Sequence, residues 1–292
     1  MNPEDAPPGW LRAAPFLFLM LWSAGFPVSK TGIQYAAPFT FLAVRYALAL
    51  AVLVPVALWL RPALPKRRIA LLHVAVVGFC IQTIYFGMCY AAFARGTSAG
   101  VVALVVSLQP LLVGVLAPLL VRERIGAKGW AGLGLGFCGA AITILGYGET
   151  GHISPLGVIF SIGALLGMVA ATLYEKRFST GMHPVAANIV QYVVGLVTTL
   201  PFALLHFSLH LTTPFIASMA YLVIGNSLIA ISLYIAMLRF GAASQVSALF
   251  YLVPPVSGLM AWGLLGEAMP ALAWVGMAVA GLGVALVRRQ RA

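Results

Sequence analysis

Residues 178 to 238 contain no Asp, Glu, Lys or Arg, a run of 61 positions. An ordinary soluble domain is about one quarter charged, so a chain folding in water does not carry such a run. The whole sequence agrees, with 62% hydrophobic and 8% charged residues. A helix needs roughly 20 apolar residues to cross the hydrocarbon of a bilayer, so the run holds two helices, divided at the polar stretch HFSLHLTTP from 206 to 214. Further charge-free windows at 69–94, 96–121, 129–148, 150–174 and 240–266 hold one helix each. With the apolar stretches at the two ends, the reading is an all-α integral membrane protein of ten transmembrane helices, near 13–34, 38–60, 69–92, 98–121, 127–146, 155–175, 184–206, 214–238, 242–265 and 270–287. The first lacks a convincing cleavage site and reads as a retained helix.

Lys and Arg counting sets the orientation, because positive loops stay in the cytoplasm. On one side fall 14 of the 17: Arg12, Arg61, Lys66, Arg67, Arg68, Arg122, Arg124, Lys128, Lys176, Arg177, Arg239, Arg288, Arg289 and Arg291. Lys30 and Arg95 fall on the other, and Arg45 lies inside the second span. Both termini are therefore expected in the cytoplasm. The net charge of +11 would suggest nucleic acid in a soluble protein, but here the clusters lie between apolar runs and imply a membrane surface. With six acidic residues in all, chemistry built on paired carboxylates or a carboxylate-rich metal cage has little material. No metal and no cofactor are expected. Cys80, Cys89 and Cys138 lie inside apolar stretches and read as packing residues.

Sliding the chain by 144 residues aligns Gln82 with Asn226, Tyr90 with Tyr234, Arg95 with Arg239, Pro110 with Pro254, Gly114 with Gly258, Glu123 with Glu267, Trp130 with Trp274 and Gly139 with Gly283. A shift of 146 aligns Lys30 with Lys176, Pro38 with Pro184 and Tyr46 with Tyr192. The expected organisation is a cytoplasmic tail (1–12), a five-helix repeat (13–146), an external linker (147–154), a second repeat (155–287) and a cytoplasmic tail (288–292). Five spans per repeat invert the second copy, an arrangement tied to alternating access around a mid-membrane site.

Leu21-Trp22-Ser23-Ala24-Gly25-Phe26 through Pro38 and Arg45 is similar to the opening of an EamA domain. Pro254, the Gly266-Glu267 turn, Gly276 and Gly283 resemble its ending, which the first half repeats as Pro110, Glu123, Gly132 and Gly139. The chain thus resembles, over nearly its whole length, the ten-helix EamA branch of the drug/metabolite transporter superfamily. Arg122 departs from the usual glycine of the Gly-Glu pair. The resemblance implies an exporter of amino acids or other metabolites in a bacterial inner membrane.

A buried amide in hydrocarbon either bonds a neighbouring helix or lines a wet cavity. Gln82 and Asn226, followed in register by Thr83 and Ser227, are repeat-related and expected near the axis, in one role or the other. Ser107, Pro110 and Gly114 share a face of the fourth helix with Ala103; Ser247, Tyr251, Pro254 and Gly258 are their counterparts on the ninth. Each proline frees a carbonyl, for substrate or within a packed kink. Trp22, Tyr85, Tyr90, Gln109, Gln191, Tyr192 and Tyr234 are candidates for an aromatic and amide lining, or for packing and interfacial belts. Arg45 would meet a substrate carboxylate, snorkel outward or bond backbone carbonyls. Lys30, Lys176, Glu123 and Glu267 read as solvated anchors at helix ends. The string Gly134-Leu135-Gly136-Phe137-Cys138-Gly139 matches GxGxxG, but no strand precedes it; with Gly132, and mirrored by Gly276, Ala280 and Gly283, it is a small-residue packing face. No acidic residue lies near a helix midpoint, so uniport or exchange is expected, an amphipathic-drug exporter or a proton-coupled carrier being the rival within transport. A lipid scramblase or an intramembrane enzyme is the rival outside it. The expected partners are a small-molecule substrate and membrane lipid, with no nucleic acid; the oligomeric state stays open.

Overall fold

The structure, a computed structural model, describes residues 9–62, 68–97, 99–146, 154–178, 181–265 and 270–288. The Gly266-Glu267 turn, Lys66 and Arg67, and most of the 147–154 linker lie outside the described residues, as do 1–8 and 289–292 of the tails. The described chain is helical: α1 (Ala14–Gly32), α2 (Pro38–Leu60), α3 (Arg68–Ala94), α4 (Ala99–Val106 and Gln109–Leu120), α5 (Ala127–Gly146), α6 (Pro155–Phe178), α7 (Pro184–Leu205), α8 (Thr213–Phe240), α9 (Ala243–Ser247, Ala248–Leu252 and Val253–Leu265) and α10 (Ala271–Arg288). Six of these (α2, α3, α5, α6, α7 and α8) are long and apolar enough to cross a membrane, and shorter apolar helices accompany them. Large apolar side chains such as Trp59, 81% exposed, face outward, as they do where the solvent is lipid. No strand occurs among the described residues; an isolated bridge joins Ala36 to Leu209.

Local chemistry shapes the helices. Proline starts α2 and α7, where its missing N–H costs nothing. Inside a span it does cost: Pro110 cannot donate to residue 106, so α4 stops at Val106 and restarts at Gln109. On α9 the turn before Pro254 tightens to a 3₁₀ segment, Ala248–Leu252. The continuous fourth and ninth helices expected from sequence are thus each interrupted, at related places. In α3 and α8 the middle turns, Phe79–Tyr85 and Leu222–Ala230, are wound as π-helix.

Helices α5 and α10 touch backbone to backbone. A Cβ on Gly139 would lie 2.2 Å from the Ala280 nitrogen, and one on Gly283 would lie 2.3 Å from the Gly136 nitrogen. The small-residue face seen in the sequence is this seam. Helices α2 and α7 meet through Tyr46 and Tyr192, ring centroids 5.7 Å apart.

The two ends of the bundle differ. At one, the bridge between Ala36 and Leu209 is flanked by the Ala37 amide donating to the Ser208 carbonyl at 3.0 Å and the His210 amide to the Tyr35 carbonyl at 2.8 Å. From there α8 runs 28 residues, about 40 Å, to the other end. Here Lys176 donates to the carbonyls of Gly241 (2.6 Å) and Leu238 (3.3 Å) at the C-terminus of α8. Glu123 accepts from the amides of Ala243 (2.8 Å) and Ser244 (3.2 Å) and from the Ser244 hydroxyl, capping the N-terminus of α9. Arg239 pairs with Glu175 at 3.3 Å and donates to the Met182 carbonyl, and Arg177 reaches the Leu120 carbonyl. The expectation that Glu123 and Lys176 are solvated anchors is therefore corrected. Each charge sits at the helix end whose dipole it complements, because the fold brings a foreign helix terminus to it.

Candidate functional site

A π-turn holds one residue more than an α-turn and leaves a carbonyl without its helical donor. In α3 the Tyr46 hydroxyl, from α2, donates to the Gln82 carbonyl at 2.6 Å; in α8 the Tyr192 hydroxyl, from α7, donates to the Ser227 carbonyl at 2.5 Å. Two related tyrosines thus supply two distorted turns, and those turns carry Gln82 and Asn226. Among the described residues, Gln82 is wholly buried with neither amide atom bonded, and the Asn226 and Gln191 carbonyl oxygens also lack partners. Gly195 leaves room for the Gln82 side chain and Gly25 for that of Asn226, whose Nδ2 would lie 1.9 Å from a Cβ there. Gln191 packs against Gly78, where a Cβ would lie 2.6 Å from its Cα.

Arg45 joins this group. It is 0% exposed, its Nε donates to the Ser227 hydroxyl at 2.8 Å, and its guanidinium carbon lies 4.6 Å from the centroid of Phe86. Among the described residues its terminal nitrogens have no bonded acceptor, with the Tyr90 hydroxyl as a polar neighbour. Of the three roles open to it in sequence, outward snorkelling is removed by this burial.

Beside the group lies a cavity of about 340 Å³ of empty space including its open mouth, lined on α1 by Trp22, Gly25, Phe26 and Ser29, on α3 by residues from Tyr85 to Phe93, and on α8 by Asn226. The sequence reading named Trp22, Tyr85, Tyr90 and Asn226 of these. It missed Gly25, Phe26, Ser29, Phe86, Cys89 and Phe93, which carry no signal beyond their apolar or small character. Ser29 accepts from the Tyr90 hydroxyl at 2.8 Å. Cys80 and Cys89 are both buried, Cys89 in the cavity wall, while Cys138 is exposed on α5, so the reading of Cys138 as a packing residue is corrected.

The remaining candidates lie elsewhere. Thr83 bonds Thr198 of α7 at 2.5 Å. Gln109 donates to Thr172 (3.1 Å) and Ser247 (3.4 Å), and Thr172 bonds the Tyr234 hydroxyl at 2.5 Å. These side chains tie α4, α6, α8 and α9 together. Through Tyr234 they adjoin an aromatic cluster of Phe18, Trp22 and Phe250 that touches the cavity wall. Ser107 and Pro110 are buried at the break in α4, Tyr251 packs on Gly136 with its hydroxyl unbonded, and Pro254 is part-buried in α9. The surroundings of Ala103 and Gly258 lie outside what is described. Among the described residues no group of three His, Cys, Asp or Glu is placed to hold a metal ion.

A family model described as the EamA-like transporter family matches residues 13–145 and again 155–289. The uncharacterized transporter YvbV of Bacillus subtilis (strain 168) is 30% identical over 256 residues, 83% of this chain and 79% of that protein. A Salmonella typhimurium protein named "Probable amino-acid metabolite efflux pump" is 26% identical over 273 residues, 89% of this chain and 88% of that one. A solved crystal structure matches with a TM-score of 0.78 over 95% of this chain and 96% of the other; at 19% identity the likeness concerns the fold alone.

Proposed function

The chain belongs to the EamA-like transporter family, and from that premise we propose that it exports small metabolites, amino acids above all, by alternating access between two inverted five-helix halves. The membrane transporter is the premise; substrate, direction and mechanism are the proposal. The observation that carries it is the cavity, whose walls come from both matched regions: α1 and α3 on one side, Asn226 of α8 on the other. Rocking of one half against the other would open such a space to alternate sides. The unbonded carbonyl oxygen of Asn226 in its wall, and the unbonded amide atoms of Gln82 and Gln191 deeper between the helices, are polar groups awaiting a partner.

The ten-span topology with both termini in the cytoplasm has support in the loops that meet. It puts Ala36 and Leu209 together outside, and Glu123, Lys176, Glu175 and Arg239 together inside, as the contacts require. The cavity residues run from the middle of α1 and α8 to the later turns of α1 and α3, toward the Ala36 end, which supports a conformation closed at the opposite, proposed cytoplasmic, face. The 14 to 2 charge bias favours a bacterial inner membrane in that orientation. Amino acids are favoured by the efflux pump among the relatives and by the pairing of amides with aromatic rings. Glu123 and Glu175, the described acidic side chains, lie at the cytoplasmic end, which favours exchange or uniport over proton coupling.

The test is counterflow of a panel of radiolabelled amino acids into proteoliposomes preloaded with unlabelled amino acid. Saturable exchange is expected, weakened about tenfold or more in Gln82→Ala and Asn226→Ala by the loss of polar contacts to the substrate. Exchange that ignores an imposed pH gradient supports uniport. Transport of amphipathic cations with no amino-acid exchange would overturn the reading in favour of drug export.

A further inference from the structure

Arg45 is a wholly buried cation whose terminal nitrogens have no bonded acceptor among the described residues and whose polar neighbours include the neutral hydroxyls of Tyr46, Tyr90 and Tyr192. Burying a guanidinium costs free energy unless hydrogen bonds or an opposite charge compensate it. The carboxylates among the described residues are engaged elsewhere, Glu175 with Arg239 and Glu123 on the first turn of α9, both at the opposite end of α8. What Arg45 does have is orientation without neutralisation. The Ser227 hydroxyl holds Nε at 2.8 Å, and Phe86 packs on the guanidinium at 4.6 Å. Fixing Nε and a face leaves the two-nitrogen end of the fork open, the geometry that accepts a carboxylate through two parallel hydrogen bonds.

The surroundings connect this fork to the cavity. Phe86 lines the cavity and also covers the guanidinium, and Asn226, which lines it too, adjoins Ser227. The rest of the wall is largely aromatic, with Trp22, Phe26, Tyr85, Tyr90 and Phe93 beside the small Gly25, Ser29 and Cys89. We infer that Arg45 is the receptor for the carboxylate of the transported molecule, with the aromatic wall taking its apolar portion; the inference rests on the proposed transport function and adds a residue-level selectivity to it. Because Arg45 has no exposed surface in this conformation, the carboxylate engages it only once the Phe86 ring turns aside. The substrate class is then the monocarboxylate, whether or not an amino group accompanies it. An amide or amine of the same shape is rejected, since it leaves the cation unpaired.

The test needs no variant in its first arm. The amino acid that wild-type proteoliposomes exchange fastest is competed with its own deaminated acid and with its own amide. The deaminated acid is expected to compete within a few-fold of the parent and the amide to be weaker by about tenfold or more, the cost of losing a charge-assisted contact. In the second arm, Arg45→Gln is expected to lose affinity for the parent and with it the discrimination against the amide, while Arg45→Lys retains part of both. Equal competition by amide and acid overturns the inference and leaves the transport function standing. Preserved discrimination in a folded Arg45→Gln protein does the same. Failure of wild type to exchange any amino acid overturns both.

Discussion

The tyrosine hydroxyls of Tyr46 and Tyr192 serve the backbone of a neighbouring helix. Each donates to a carbonyl within a π-turn, and each ring is wholly buried, so no water is at hand to replace the bond. Tyr46→Phe and Tyr192→Phe should each destabilise the fold by about 1–3 kcal/mol, the cost of a buried unsatisfied acceptor, with little change in packing volume. Thermal unfolding in detergent checks this; an unchanged midpoint in both variants would mean that the π-turns close their own hydrogen bonds. The tyrosines were visible in the sequence as a repeat-related pair, but nothing in a single sequence marks a π-turn, because the extra residue needs no special side chain. Gln82 and Asn226 were legible for another reason: an amide in an apolar run is conspicuous wherever it points.

At the scale of the element, the glycines of α5 and α10 differ sharply in what surrounds them. A Cβ on Gly139 would strike the backbone of α10, while one on Gly134, in the same helix, would meet nothing within 4 Å. Gly139→Ala should therefore force the two helices apart and cost about 1–3 kcal/mol, whereas Gly134→Ala should be neutral or gain up to about 1 kcal/mol of helix propensity. Melting temperatures of the two variants, measured side by side, read the contrast directly; similar values would argue against a backbone-to-backbone seam. The sequence pattern predicted a packing face on both helices but could not say that each was the other's partner, since small residues carry no label of what they face. The breaks in α4 and α9 were half legible: proline announces a disturbance, and the packing around it decides whether the helix kinks, tightens to 3₁₀ or stops.

For the molecule as a whole, the polar contacts at the Glu123 end hold α6, α8, α9 and the segment before α5 together, and the cavity lies toward the opposite end. If the halves rock as proposed, with the Glu123 end in the cytoplasm, these contacts must break for that face to open. Combining Glu123→Gln with Lys176→Met removes a helix cap and a helix-terminus charge, about 1–2 kcal/mol each, and should shift the equilibrium toward the inward-open state. Cys89, in the cavity wall, is a native reporter. In a Cys138→Ser background, its alkylation by a small impermeant thiol reagent added outside should slow several-fold in the double variant. Labelling at the wild-type rate would show that these contacts do not govern the closed face.

Membrane residence, helix-forming segments, the likeness of the two halves and the family itself are written in the sequence. They depend on hydrophobicity, charge asymmetry and spacing, which act locally and add along the chain. The partners of each polar group are not local. Whether Arg45 lies against a carbonyl, lipid or Ser227, or Glu123 in water or on the first turn of α9, depends on residues more than 100 positions away. Only the packed bundle brings those residues within hydrogen-bond reach, and only there does a buried cation with no counter-charge among the described residues become visible.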